Sequence, residues 1–170
     1  APTAFPIDKT RPTISVTYDN NSALNGNYYN ANRTATVVVT EHNFDASRVN
    51  ITLRATNDGA DIALPTVSGW TSSGDRHTAT IAYQRDGLYT FDIDVTDKAG
   101  NTTEKTILFS VNRFGSTYAL SAATEQLNGS YVQTPQDVVV TETNPDALQN
   151  IRITLFKNNQ TIILQEGTDY

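Results

Sequence analysis

The sequence predicts an all-β fold: one antiparallel sandwich of two sheets, followed by part of a second β-module. Three observations carry the prediction. The 170 residues include 26 Thr and 16 Asn against only 4 Lys. Thr is β-branched and suits a pleated, half-solvated surface, while Asn tolerates the left-handed conformations of tight turns. Strict alternation of apolar and polar residues recurs along the chain, and the chain repeats itself.

The elements follow in order. Ile14, Val16 and Tyr18 alternate with Thr13, Ser15 and Thr17, which marks a strand with one buried face. A turn-rich stretch, 19–26, separates it from Val37, Val38 and Val39, a continuous apolar run that suits a strand buried on both faces. Residues 45–49 supply at most one helical turn. Ile51, Leu53 and Ala55 then alternate with Asn50, Thr52 and Arg54, and Asn57 to Gly59 forms the next turn. Trp70 lies in a Gly-, Ser- and Thr-rich loop, 68–74, and a turn at 73–75 leads into Ala79, Ile81 and Tyr83. After Asp86-Gly87 come Tyr89, Phe91, Ile93 and Val95, and after Ala99-Gly100-Asn101 come Ile107, Phe109 and Val111. Gly100 and Asn101 are expected to supply positive φ, so that 88–96 and 104–112 pair in fixed register. About seven short strands punctuated in this way predict a two-sheet sandwich, with a barrel as the rival.

The repeat sets the domain boundaries. Leu24-Asn25-Gly26-Asn27-Tyr28 recurs as Leu127-Asn128-Gly129-Ser130-Tyr131, an offset of 103. Val37-Val38-Val39-Thr40-Glu41 recurs as Val138-Val139-Val140-Thr141-Glu142, offset 101, with Asn43 and Asp45 matched by Asn144 and Asp146. Ile51-Thr52-Leu53 matches Ile153-Thr154-Leu155 at offset 102. Identical order and turn residues favour tandem duplication over chance similarity of Thr-rich strands. The division is therefore an N-terminal extension, 1–7, a complete module, 8–112, and a partial module, 113–170, with no counterpart of 76–111. Completion is expected either from chain beyond Tyr170 or from another polypeptide, and the strands beginning at Val138 and Ile151 are expected to be adhesive edges.

Composition excludes several functions. A net charge of −6 and a pI of about 4.7 oppose binding to a phosphate backbone, so nucleic acid is not an expected partner. Nothing approaches the roughly 18 apolar residues of a membrane helix, and no signal-peptide pattern opens the chain, so no membrane insertion is expected. The missing initiator Met suggests a mature fragment or an excised piece. With no Cys there are no disulfides, thiolate metal sites or Cys nucleophiles.

Asp86-Gly87-Leu88-Tyr89-Thr90-Phe91 resembles the immunoglobulin-type corner in which a Tyr opens the sixth strand two residues before an inward core position. Phe91 would stand where antibody domains carry Cys. Asp97-Lys98-Ala99-Gly100-Asn101-Thr102, after a Phe-x-Ile-x-Val strand, resembles the penultimate turn of bacterial immunoglobulin-like (Big-type) tandem domains, and the Asp-Lys-Thr-Arg-Pro start at 8–12 is similar to their linkers. The resemblance implies an immunoglobulin-like antiparallel β-sandwich followed by a partial second β-module. It also implies a secreted or cell-wall-anchored location, most often in Gram-positive bacteria, with neighbouring repeats of the same chain as partners.

Signals for chemistry are sparse. His42 and His77 have no partnered Ser or Cys motif, and His42 reads as a solvated residue at a strand end. Asp92 and Asp94 share an outward face at a spacing of about 7 Å, which glycosidase carboxylates use, but an open sheet face supplies no desolvating pocket. Calcium suits such oxygens better: Asp97 and Asn101 in one turn, with Asp8 at the linker, are the candidate metal ligands, set against ordinary turn chemistry at Asp97. No other cofactor is indicated. Trp70, with Tyr28 and Tyr29, is the candidate ligand-stacking set, weighed against Trp70 as a plug closing one end of the core. Asn-x-Ser/Thr triplets arise from composition alone.

The expected function is a non-catalytic extracellular spacer or adhesion unit of a bacterial surface protein, meeting a host protein or glycan through its loops. The alternative is a carbohydrate-binding accessory module of a secreted glycan-degrading enzyme. A hydrolase is the third reading and would require a cleft with convergent carboxylates or His.

Overall fold

The structure is a computed structural model that describes residues 7–23, 26–148 and 150–170. Most of the predicted extension, 1–7, and Leu24-Asn25 of the repeated turn lie outside the described residues. The first module contains β1 (Thr13–Tyr18), β2 (Tyr28–Tyr29), β3 (Arg33–Thr40), a 3-10 turn (Ala46–Arg48), β4 (Val49–Asn57), β5 (Ala60–Asp61), β6 (Thr71–Ser73), β7 (Arg76–Tyr83), β8 (Gly87–Thr96) and β9 (Thr102–Val111). They form two sheets, β1-β3-β7-β6 and β2-β9-β8-β4-β5. The chain changes sheet between β1 and β2, and β2 runs parallel to β9, with Tyr28 opposite Ser110. All the other pairs in these sheets are antiparallel. This order and sheet switch are those of an immunoglobulin-like sandwich.

Alternation sends the predicted residues inward. Val37, Val39, Ile81 and Tyr83 from one sheet meet Phe91, Ile93, Phe109 and Val111 from the other in a single buried cluster. Val38 is buried as well, as expected for a strand covered on both faces. The corner closes as anticipated: the Tyr89 hydroxyl donates to the Arg85 carbonyl at 2.8 Å, tying β8 to the turn before it. The hydrogen bond leaves that buried hydroxyl satisfied, which is what makes a Tyr preferable to a Phe here.

One turn residue works differently from expectation. Gly100 takes φ +92, whereas Asn101 is absent from the positive-φ residues. Asn101 acts through its side chain instead, since its amide nitrogen donates to Asp97 Oδ2 at 2.8 Å and to the Asp8 carbonyl at 3.2 Å.

Residues 113–170 contain β10 (Thr117–Leu120), a one-turn helix α1 (Ala122–Glu125), β11 (Val140–Thr143), β12 (Thr154–Lys157) and β13 (Gln160–Ile163). They reproduce the opening of the first module. β10 pairs antiparallel with β11 as β1 does with β3, and the β12–β13 hairpin matches β4–β5. Both hairpins turn through two positive-φ residues, Asp58-Gly59 and Asn158-Asn159. The edges predicted to begin at Val138 and Ile151 are shorter than expected, starting at Val140 and Thr154. The first module pairs the corresponding strands on both sides; here each has a single partner among the described residues. A strand end lacking a ladder has little to order it.

Candidate functional site

The polar residues that the fold draws together lie where each module meets its preceding linker. At the first joint, Asp8 of the linker reaches the turn after β3 and the turn after β8. Asn43 Nδ2 donates to Asp8 Oδ2 at 2.6 Å, and Asp8 Oδ1 accepts from the Thr10 amide at 2.9 Å. The Asn43 amide donates to Glu41 Oε1 at 2.6 Å, and the Asn101 amide to Asp97 Oδ1 at 2.8 Å. Asp8, Glu41 and Asp97 each bring a carboxylate oxygen within 4.8 Å of the others. Glu41 and Asp97 are buried, 5% and 0% exposed. Two of the three predicted calcium ligands, Asp8 and Asp97, therefore do converge as acids. Asn101 joins them but turns its amide nitrogen toward them.

Desolvation pushes the Asp97 pKa up, yet hydrogen bonds from the Asn101 side chain and from the Asn101, Gly100 and Ala99 amides outweigh it and hold the carboxyl below its ordinary 3.8. A lowered folded-state pKa adds stability above the unfolded value, and that stability is lost as pH falls through the folded value. Asn101→Ala is expected to move the Asp97 midpoint upward and shift the acid-unfolding limb to higher pH. Carboxyl-carbon NMR titration checks this, and an unmoved midpoint would remove Asn101 from the role.

The second joint repeats the clasp with the polarity of one bond changed. Asn112 stands where Asp8 does and donates through Nδ2 to Asn144 Oδ1 at 3.0 Å and to Asp146 Oδ2 at 2.8 Å. Its own Oδ1 accepts from the Gly115 amide at 2.7 Å, as Asp8 accepts from Thr10. Arg113 fastens the other side: Nε donates to Asp86 Oδ1 at 2.6 Å, and the Arg113 amide reaches Asp86 Oδ2 at 3.3 Å. Asp86 precedes the Tyr89 corner, so the linker is bonded to both modules it joins.

No family model and no curated protein matches the chain. Among solved structures it is similar to the crystal structure of BcpA, the major pilin subunit of Bacillus cereus. That similarity has 14% identity and a TM-score of 0.28, over 94% of this chain and 68% of that one.

The aromatic candidates are placed apart. Trp70 packs against the core with its ring edge-on to Phe44, centroids 5.4 Å apart, next to the end of the sandwich where β7 starts. Tyr29 is at the other end, beside Val111, with its ring over the Arg33 guanidinium at 3.5 Å. Tyr28 is exposed on β2. The three do not share a platform.

His77, which the sequence leaves without a partnered Ser or Cys motif, is buried at 7% exposure. It stacks on Phe44 with centroids 3.8 Å apart, and Nε2 lies 2.8 Å from the Glu41 carbonyl. A carbonyl only accepts, so Nε2 carries a proton, and Nδ1 lies 2.7 Å from Ser72 Oγ, a hydroxyl able to donate or accept. His42 is exposed, with Nδ1 3.0 Å from Asp75. Asp92 bonds Thr106 Oγ1 and lies 3.6 Å from Arg54, as part of a charged sheet face. Among the described residues no helix is long and apolar enough to cross a membrane.

Glu41 and Asn43 were not anticipated as site residues. Their signal was the repeated segment itself, in which Glu41, Asn43 and Asp45 return as Glu142, Asn144 and Asp146.

Proposed function

We propose that this chain is a non-catalytic spacer and adhesion unit of an extracellular bacterial surface protein, built from tandem Big-type immunoglobulin-like modules. The observation that carries the reading is the clasp repeated at successive joints: Asp8 to Asn43 at one, Asn112 to Asn144 and Asp146 at the next. A spacer gains reach only if its joints resist bending, and at 112–113 the chain is bonded both to Asp86 before it and to Asn144 and Asp146 after it, which supplies that stiffness.

Asp86→Ala tests it. The change removes the Arg113 ion pair, whose side chains are 30% and 13% exposed, while leaving the Tyr89 corner intact. Small-angle scattering or paired fluorophores on the two modules should report a broader joint-angle distribution. The unfolding free energy of the first module should shift by no more than about 1 kcal/mol. An unchanged distribution would defeat the stiff-joint reading.

The three converging carboxylates support calcium as a further stiffener at the first joint, with Asp8, Glu41 and Asp97 as oxygen donors. A cation that binds only the folded form raises its stability by mass action. Millimolar calcium is expected to raise the melting temperature by several degrees over chelator-treated protein, and Asp97→Asn to abolish the rise. Equal melting temperatures with and without calcium would dismiss the cation and leave hydrogen bonds alone holding the joint.

A further inference from the structure

The first module is entered and left at opposite poles. The linker comes in beside the turns after β3 and β8, where Asp8 meets Asn43 and Asn101. The chain leaves past Val111, which lies opposite Gly87 at the far end of the β8–β9 ladder. Between the poles β9 spans about 30 Å. β1 and β9 run in the same direction, since each starts at the entry pole: Thr13 pairs with Thr40, and Thr102 with Thr96. Tension that separates the two linkers therefore pulls β1 from its first residue and β9 from its last, both along their own axes.

β1 is held to β3 by the ladder that runs from Thr13–Thr40 to Tyr18–Ala35. Antiparallel ladder bonds stand perpendicular to the strands. Axial tension thus loads every bond of the ladder at once, and none can yield alone. Tension across the strands opens the same bonds one after another. The entry is also fixed to the strand that forms the exit. Pro12 is fully buried, and its carbonyl accepts from Thr103 Oγ1 at 2.6 Å, a bond that crosses from one sheet to the other. The Asp8 carbonyl accepts from Asn101 Nδ2 at 3.2 Å. From Thr103 the covalent chain of β9 leads straight to the exit, so this staple passes tension between the poles without routing it through the core. At the exit β2 adds a short parallel pairing, with the Ser110 amide donating to the Asn27 carbonyl at 2.9 Å and the Asn112 amide to the Tyr29 carbonyl at 2.8 Å.

We propose that the first module is a tension-bearing element, and that its mechanical clamp is the β1–β3 ladder together with the Thr103–Pro12 staple. The inference rests on the spacer reading, because only a unit held at both ends meets axial tension. The two fail separately: joint angles decide the spacer, and unfolding under force decides the clamp.

The full chain has no Cys, so attachment points for single-molecule pulling can be introduced in pairs. Ile7→Cys with Phe114→Cys, both at exposed positions, pulls along the strands. Ile7→Cys with Ser73→Cys pulls across them, because Ser73 pairs with Arg76 at the entry pole. Unfolding should need a severalfold higher force in the first geometry than in the second. At constant axial force Thr103→Val should speed unfolding about fivefold, the scale of one hydrogen bond, and Thr103→Ser, which keeps the hydroxyl, should restore the parent rate. Equal forces in the two geometries overturn the proposal, and so does an axial rate that Thr103→Val leaves unchanged.

Discussion

Phe91→Ala is expected to cost about 3–5 kcal/mol of folding free energy, the largest effect of any single truncation in the first module. Phe91 is 0% exposed and lies on the central strand of its sheet, flanked by Leu53 on β4 and Ile107 on β9. Across the sandwich its ring meets Tyr83, with centroids 6.0 Å apart. Neighbours fixed on both sides by sheet ladders cannot collapse into the space left by the ring, so the loss contains a cavity contribution as well as lost transfer energy. Urea unfolding followed through Trp70 fluorescence measures it, because Trp70 packs on this same core. Tyr83→Phe is the matched control. The Tyr83 hydroxyl is buried without a hydrogen-bond partner among the described residues, so its removal should be neutral or slightly stabilising. A loss below about 1 kcal/mol at Phe91 would mean that the interior between the sheets is not where the stability lies.

The long strands were readable because one face of each is buried and the side-chain period is two. Tyr89, Phe91, Ile93 and Val95 show this directly: each is buried and each intervening residue is not. The same rule reaches a polar residue. His77 shares its parity with Ala79, Ile81 and Tyr83, so alternation places it inward. β2, β5 and β6 were missed for a different reason. They run for two, two and three residues, too short for any period to register, and pairing with long neighbours is what makes them strands. The parallel pairing of β2 with β9 has no local signature, since it depends on where the sheet switch delivers the chain.

The clasp was half legible. Asp8, Asp97 and Asn101 follow from turn chemistry and the position of the linker. Glu41 and Asn43 do not, because their turn comes after a strand that is buried on both faces, and only the folded sheet brings it beside Asp97. Asn101 illustrates a separate lesson. Asn is frequent in turns both for its backbone tolerance and for its side chain, and here the side chain decides. Trp70 packs edge-on against Phe44, which in turn stacks on His77, a contact between residues distant in sequence that no local pattern announces.

Arg33→Ala is expected to cost about 3 kcal/mol, a second large loss, from a charged residue that no ion pair explains. Arg33 is 3% exposed. Its guanidinium carbon lies 3.6 Å from the Tyr18 ring centroid, 3.5 Å from Tyr29 and 4.7 Å from Phe109, and Nε donates to the Asn20 carbonyl at 2.9 Å. Burial alone would make such a cation costly, and desolvation does pull its pKa down. Three ring faces offset that cost, since a desolvated cation–π contact contributes up to about 2 kcal/mol. Arg33→Met separates packing from charge: it refills most of the volume and should recover more than half of the alanine loss. Tyr18 reports the charge independently. Burial raises its hydroxyl pKa to about 12, and Arg33 opposes the rise. In the folded Met variant the Tyr18 pKa should therefore climb further, read by ultraviolet difference titration. For the parent protein, a folded pKa above the unfolded value of about 10 means stability that is complete below pH 10 and lost as pH rises toward 12. A Tyr18 titration unmoved by Arg33→Met would show that the guanidinium holds the rings by shape alone.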